Sequence, residues 1–444
     1  MPAIITGIYI ALMLTVYLLW FDWNGYRAIT GAKLRVFYIL SGLYIVSVLA
    51  AAVIGKCIPR PKEFSAVQWL IIAYMLITLL SAACSPHSMK SWLGATRHEG
   101  AVTIGIYCFV FLLVSFYGRA GRWMLWPLGI GTSLLCVVCT IQLCGYNPFS
   151  LYPEGMDFYG AGKDYIGQYL GTVGNTGLLA SYFCISIPVM LISLLRLNDK
   201  LRFALLIPLA LSIFVLLKMN VAAGIIGVFG GVLLSAPVIV RSKRKRRIIA
   251  VFLLAAIICG LAFVYIYDAG EGTLHEAHGI MHGNAPDSFG SGRIYIWKNV
   301  LELVPNRLLL GAGPDTLAYE NIEPFTRYDA DRDKIITAHI DTAHNEYLNV
   351  LYHQGLIALA VYFAALMISA IKWIKQSEKN TALAVTGGAV LCYCIQAFFG
   401  ISMFITAPFM WISLGLLEAS YNKKPKLSCE VYPQYWTPVL GVFA

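Results

Sequence analysis

Residues 241–267 read RSKRKRRIIAVFLLAAIICGLAFVYIY. Six cations crowd the first seven positions, and the twenty residues that follow carry no charge. About 20 apolar residues in a helix cover the ~30 Å hydrocarbon layer of a bilayer. A basic flank on one side marks the cytoplasmic end of such a span. Similar runs recur on both sides of this one. They predict spans at 3–21, 36–55, 66–84, 100–118, 123–144, 170–195, 203–218, 221–240, 249–267, 346–371, 382–400 and 402–420. The whole chain of 444 residues is 59% hydrophobic and only 13% charged. Soluble domains carry roughly 25% charged residues, so too few polar side chains remain to cover a soluble surface. Long solid runs also exclude a β-barrel, whose strands are short and alternating. The expectation is an all-α polytopic membrane protein of about twelve transmembrane helices.

Orientation follows from the cations. Alternate loops hold 20 of the 33 Lys and Arg residues, which places both termini in the cytoplasm. The net charge of +10 thus reflects topology, and the 241–247 run reads as an anchor against anionic membrane lipid, not as a nucleic-acid site. The first run, from Ala3 to Phe21, lacks a basic leader and a small-residue cleavage site, and reads as a retained helix. Cys136 and Cys139 form a CxxC inside an apolar run, which reads as helix packing. The expected organisation is helices one to nine over 1–267, a large extracytoplasmic loop with short helices over 268–343, helices ten to twelve over 344–421, and a cytoplasmic tail over 422–444. A shorter outer loop spans Gly145 to Gln168. The large loop holds 12 of the 23 acidic residues.

Chemistry is expected where outer loops meet helix ends. Asp341 or Thr342 reads as the cap of span ten, which would put His344 in its first turn, on a face shared with Leu348, Leu351 and Gly355. The partial positive charge of a helix start favours neutral imidazole, a competent general base. Spacing alone favours the plainer reading of a helix-capping histidine at the interface. In Ser288–Trp297, Ser291 reads as the cap of a membrane-surface helix with an apolar stripe of Ile294, Trp297, Leu301 and Val304, ended by Pro305. Trp297 would sit in the headgroup belt. Arg293 falls in its first turn, where the dipole opposes a cation. A bound phosphate would compensate it, as would an acidic loop residue or a lipid phosphate. Arg97 and Glu99 open span four as rim charges, either functional or an ion-paired anchor. His275, His278 and His282 have i, i+3, i+7 spacing, but neighbouring glycines weaken a metal-binding helix, and no metal is expected. Gly311-Ala312-Gly313-Pro314 reads as a turn signal.

The order of these pieces resembles the O-antigen ligase and O-antigen polymerase superfamily of bacterial membrane glycosyltransferases. The matching segments are Trp92-Leu93-Gly94 with Arg97-His98-Glu99-Gly100; Gly171–Asn175 through Tyr182; Ser291-Gly292-Arg293 with Trp297 and Leu310–Pro314; and Ala343–Leu348 with Gly355-Leu356. They cover roughly residues 90 to 360. The resemblance implies a C-type glycosyltransferase-like fold and transfer or polymerisation of an undecaprenyl-diphosphate-linked glycan onto a glycan or lipid-linked acceptor. It implies no metal and no cofactor. Carried over, His344 becomes the general base and Arg293 the diphosphate clamp, with Arg97, Lys218, Asn175, Asn345 and Trp297 as substrate contacts. Lys218 stands near the place of a second family arginine, as a point charge in place of a fork. The expected site lies on the extracytoplasmic face of the cytoplasmic membrane. The competing readings are a lipid-linked glycan transporter or flippase, and a catalytically inactive assembly partner. Transporters place charges at midplane in repeated halves, whereas these polar groups cluster at one rim.

Overall fold

The computed structural model describes residues 1–152, 170–270, 272–284, 287, 289–329 and 334–421. Most of the Gly145–Gln168 loop and the whole 422–444 tail lie outside the described residues. Fifteen helices are described. They are α1 (Pro2–Tyr17), α2 (Tyr26–Ile54), α3 (Ala66–Cys84), α4 (Ser88–Leu93), α5 (Ala101–Tyr117), α6 (Leu125–Leu143), α7 (Thr176–Arg196) and α8 (Leu206–Met219). There follow α9 (Ala222–Ile239), α10 (Lys243–Ile266), α11 (Gly272–Met281), α12 (Phe289–Leu303), α13 (Glu346–Gln376), α14 (Thr381–Ala397) and α15 (Ala407–Tyr421). Eight helical segments are long and apolar enough to cross a membrane, and α1, α5 and α14 are apolar but shorter. Every expected span falls on a helix, with shifted ends: span two begins at Tyr26, span six at Thr176 and span twelve at Ala407. The large loop holds α12 near its expected place, and α11 over the stretch whose glycines argued against a helix. It also holds an antiparallel pair of strands, β1 (Phe325–Asp329) and β2 (Lys334–Ala338), with Phe325 opposite Ala338.

Local sequence sets the helix starts. Ser65 and Gln68 form a reciprocal capping box at α3. Asn175, Ser242, Asn345 and Asn380 cap α7, α10, α13 and α14 with their side chains. The main pairings are α3 on α13, α7 on α14 and α5 on α15. Helix α15 is the hub, buried along almost its whole length. Its Glu418 is fully buried and accepts from Lys372 Nζ at 2.7 Å through both oxygens. Helix α10, by contrast, buries no residue and lies at the edge against α9 and α11. Cys136 and Cys139 are buried free thiols in the core, in keeping with a packing role.

The decisive feature is a break. Helix α13 is interrupted at Gly355, whose φ of 87° and ψ of 175° are not helical. The segment 308–313 fills the gap. Ala312 N donates to Tyr352 O at 2.9 Å, Gly313 N to His353 O at 2.8 Å, and Leu356 N to Leu308 O at 2.7 Å. Ser81 Oγ adds a bond to His353 O, and Ser85 Oγ holds Ala312 O. Backbone groups inside an apolar bundle need partners, and here a non-local segment supplies them. Gly311-Ala312-Gly313 is therefore more than a turn, and Gly355 does not continue the helical face on which the sequence placed it.

Only glycine fits this crossing. A Cβ at Gly355 would lie 2.2 Å from Leu309 O, and one at Gly311 2.4 Å from His353 O, both at positive φ. Gly311→Ala and Gly355→Ala are each expected to cost at least about 1–3 kcal/mol. Thermal unfolding in detergent should show a clear drop for both. Gly260→Ala, at a site with open space around it, should leave the transition unmoved.

Candidate active site

Two loops and one helix start converge. The first loop, 94–100, closes tightly on itself between α4 and α5. A Cβ on Gly94 would lie 2.4 Å from His98 Cα. Asp315, two residues beyond segment 308–313, organises this loop by accepting from Arg97 N at 3.0 Å, with Thr96 Oγ1 at 3.5 Å. Burial raises the Asp315 pKa, while donors from the backbone of Arg97, Ala95 and Glu99 oppose the shift. The loop thus presents Arg97 outward. Its guanidinium grips Asp341 bidentately, Nε to Oδ2 and Nη2 to Oδ1, both at 2.9 Å. The anchor pair suggested by the sequence was Arg97 with Glu99. Glu99 instead accepts from Tyr107 Oη at 2.7 Å, and burial pushes its carboxyl up to about 8.

The second loop is the turn at 341–345. Ala343 is held from both sides: its N–H donates to Asn349 Oδ1, and its carbonyl accepts from Trp297 Nε1, each at 2.9 Å. Asn349 Nδ2 also reaches Thr342 Oγ1 at 2.8 Å. Asn345, not Asp341 or Thr342, is the cap of α13, accepting from Tyr347 N and Leu348 N at 3.0 and 3.1 Å. His344 therefore precedes the cap and stands outside the first turn, with a left-handed φ of 49°. Asparagine outcompetes more distant oxygens because its short side chain reaches the N2 and N3 amides directly.

Helix α12 completes the site. Its buried stripe is Ile296, Val300 and Val304, packed with Leu348 and Tyr352 of α13. The expected stripe of Ile294, Trp297, Leu301 and Val304 is rotated relative to this one, and Leu301 is exposed. Both faces of the helix carry apolar residues, so the sequence alone does not choose between them. Trp297 is not a free headgroup anchor. It stacks edge-on with Phe398, centroids 5.5 Å apart, while its N–H holds the 343 carbonyl.

Arg293 donates to Gly290 O and, at 3.0 Å, to Phe399 O in the turn after α14. Its Nε is buried without a partner, and no carboxylate pairs with it among the described residues. Burial lowers its pKa, yet a guanidinium remains a cation. Arg293 and His344 lie close enough to interact electrostatically. Burial first, then the charges of Arg293 and Arg97, lower the His344 pKa to about 4, against an opposing pull from Asp341. The imidazole is neutral at pH 7.

The structure thus gathers Arg293, His344, Trp297, Asn345 and Arg97. Asn175 is apart, using its side chain to cap α7 through Leu178 N. Lys218 is exposed near the end of α8, and no contact among the described residues joins it to Arg293 or His344. The loop histidines are engaged elsewhere: His275 Nδ1 meets Asp268 Oδ1, and His278 Nδ1 meets Val264 O. Residues that the sequence reading missed are Asp315, Asp341 as the partner of Arg97, Asn349 and the Phe398-Phe399 turn. Behind the site, Arg97, Glu99, Asp341, Glu346, Asn349 and His353 line a cavity of ≈ 60 Å³.

Residues 207–363 match the family model described as O-antigen ligase. This stretch is similar to the O-antigen ligases. The match covers Lys218, Arg293, Trp297, His344 and Asn345, and bears out the resemblance carried by their motifs. Arg97 and Asn175 lie outside the stretch matched to the O-antigen ligases. No curated protein matches the sequence.

His344 is expected to titrate at about 4, well below the ordinary value of about 6.5. Its folded state resists protonation, so its contribution makes stability rise with pH between those two values. Removing a cation should move the midpoint upward. Histidine NMR of Arg97→Gln, with His344→Asn for assignment, should show that direction; a downward shift would contradict the electrostatic picture.

Proposed function

We propose that the protein transfers the glycan of an undecaprenyl-diphosphate-linked donor onto an acceptor hydroxyl, by ligation or polymerisation, at the outer face of the cytoplasmic membrane. In this reading all twelve helices cross the membrane, both termini are cytoplasmic, and the acceptor is a glycan or a lipid-linked molecule. The observation that carries the reading is a half-buried guanidinium, without a carboxylate partner among the described residues, beside a neutral imidazole.

The chemistry follows from those two groups. The acceptor oxygen attacks the anomeric carbon, and the bond from that carbon to the diphosphate oxygen breaks. The diphosphate leaves with the bonding electrons. Arg293, which has no carboxylate partner among the described residues, stabilises the growing negative charge, a contribution that can reach several kcal/mol. His344 Nδ1 or Nε2 accepts the acceptor proton. Arg293 and Arg97 depress the basicity of the free imidazole. A bound diphosphate cancels part of that positive field, so donor binding itself strengthens the base. The cationic clamp takes the charge-neutralising role that a metal plays in other transferases, and no cofactor is needed. Trp297 and Asn345 serve by positioning, through Ala343 O and the α13 amides. Arg97 acts through Asp341 on the same turn. Asn175 and Lys218 would reach the substrate only through parts of it distant from the diphosphate.

A broken helix is also a feature of transporters. Here the break in α13 is filled by segment 308–313, and the cation and imidazole lie together at one helix end, which suits transfer over transport.

His344→Ala is expected to lower transfer by about 10²–10⁴-fold, and Arg293→Lys to lose most activity because the fork becomes a point charge. Membrane vesicles supplied with lipid-linked glycan, with products resolved by mass, provide the measurement. Wild-type product from His344→Ala would remove the base assignment, and full activity of Arg293→Lys would remove the bidentate clamp.

A further inference from the structure

A second concave feature lies at the far end of the bundle. The chain leaves the Arg97 loop through α5 and reaches this end at residues 119–125. A groove of ≈ 360 Å³ opens there between the first turns of α6 and α8. One wall is Trp126, Ile130 and Leu134, at i, i+4, i+8 on α6, and the other is Ile207 and Pro208 of α8. The wall is open, with Trp126 53% and Ile207 68% exposed. Gly129 keeps the floor clear, since a Cβ there would approach Pro208 Cγ at 3.7 Å.

The rim is basic. Arg122 Nη1 meets Asp199 Oδ2 at 3.1 Å, and Arg202 donates to Leu197 O. The Nε of Arg202 is buried without a partner among the described residues. Of the residues lining the groove, Arg122 and Arg202 are cations against the single acid Asp199, and Arg119 and Lys200 flank them in the sequence. That balance leaves a net positive rim above an apolar trough.

We infer that this groove seats one anionic glycerophospholipid, its phosphate at Arg122 and Arg202 and an acyl chain along Trp126, Ile130 and Leu134. The chemistry selects the occupant. An apolar trough requires a hydrocarbon chain, and a rim with more cations than acids, where Arg202 Nε has no partner among the described residues, favours a net negative head group. A zwitterionic lipid would bring its own ammonium against the same cations. The inference is independent of the transfer reaction, because the groove shares no residue with the Arg293–His344 site.

The test uses the full chain in mild detergent, titrated with phosphatidylglycerol or phosphatidylcholine of identical acyl chains and read by native mass spectrometry. One phosphatidylglycerol per protein is expected, held roughly tenfold tighter than phosphatidylcholine. The double variant Arg122→Ala/Arg202→Ala, altered only at the rim, should lose that preference while keeping its thermal transition. Gly129→Leu, which fills the trough and leaves the cations in place, should weaken both lipids. Equal retention of the two lipids, an unchanged preference in the double variant, or displacement of the bound lipid by millimolar inorganic phosphate would overturn the assignment.

Discussion

Everything at the candidate site hangs on backbone hydrogen bonds across the break in α13. An interrupted helix in an apolar bundle exposes carbonyls and amides that water does not reach, and each orphan is costly. Residues 308–313 satisfy them. In doing so they bring Asp315, two residues past Gly313, under the 94–100 loop, and Asp315 arranges that loop to aim Arg97 at Asp341. One main-chain docking event thus fixes the loop that steadies the His344 turn. The glycines at 311 and 355 permit the approach because any side chain there would occupy the partner backbone.

The second constraint is electrostatic. Positive charge gathers around His344 from Arg293 and Arg97, but the two cations are treated differently. Arg97 is neutralised by a bidentate carboxylate. Among the described residues Arg293 is met by backbone carbonyls, which satisfy donors without cancelling charge. A half-buried cation in that state is unfavourable by itself and becomes favourable when an anion arrives. The indole of Trp297 then fixes the distance between helix α12 and the 343 carbonyl, so cation and imidazole belong to one rigid corner.

Much of this was legible in the residues. Solid apolar runs located the long apolar helices, because crossing or lining a bilayer imposes composition over some twenty positions at a time. The loop arginine and the histidine before span ten stood out as polar groups at a rim, and the O-antigen ligase match over 207–363 includes both. Ends were less legible. The cap of α13 is Asn345 and not Asp341 or Thr342, since several consecutive residues can each cap and the choice depends on which carboxylate is already engaged elsewhere. Asp341 is engaged, by Arg97.

Composition and hydropathy by themselves determined the class of this protein and its long apolar helices. The tertiary structure alone decided that Arg97 pairs with a residue 244 positions away, that Gly-Ala-Gly enters a broken helix, and that Asn175 and Lys218 stand apart from the histidine. The physical reason is range. Hydrophobic burial acts on stretches of chain and leaves its mark in local patterns. A hydrogen bond or ion pair joins single atoms whose sequence separation carries no trace of the contact.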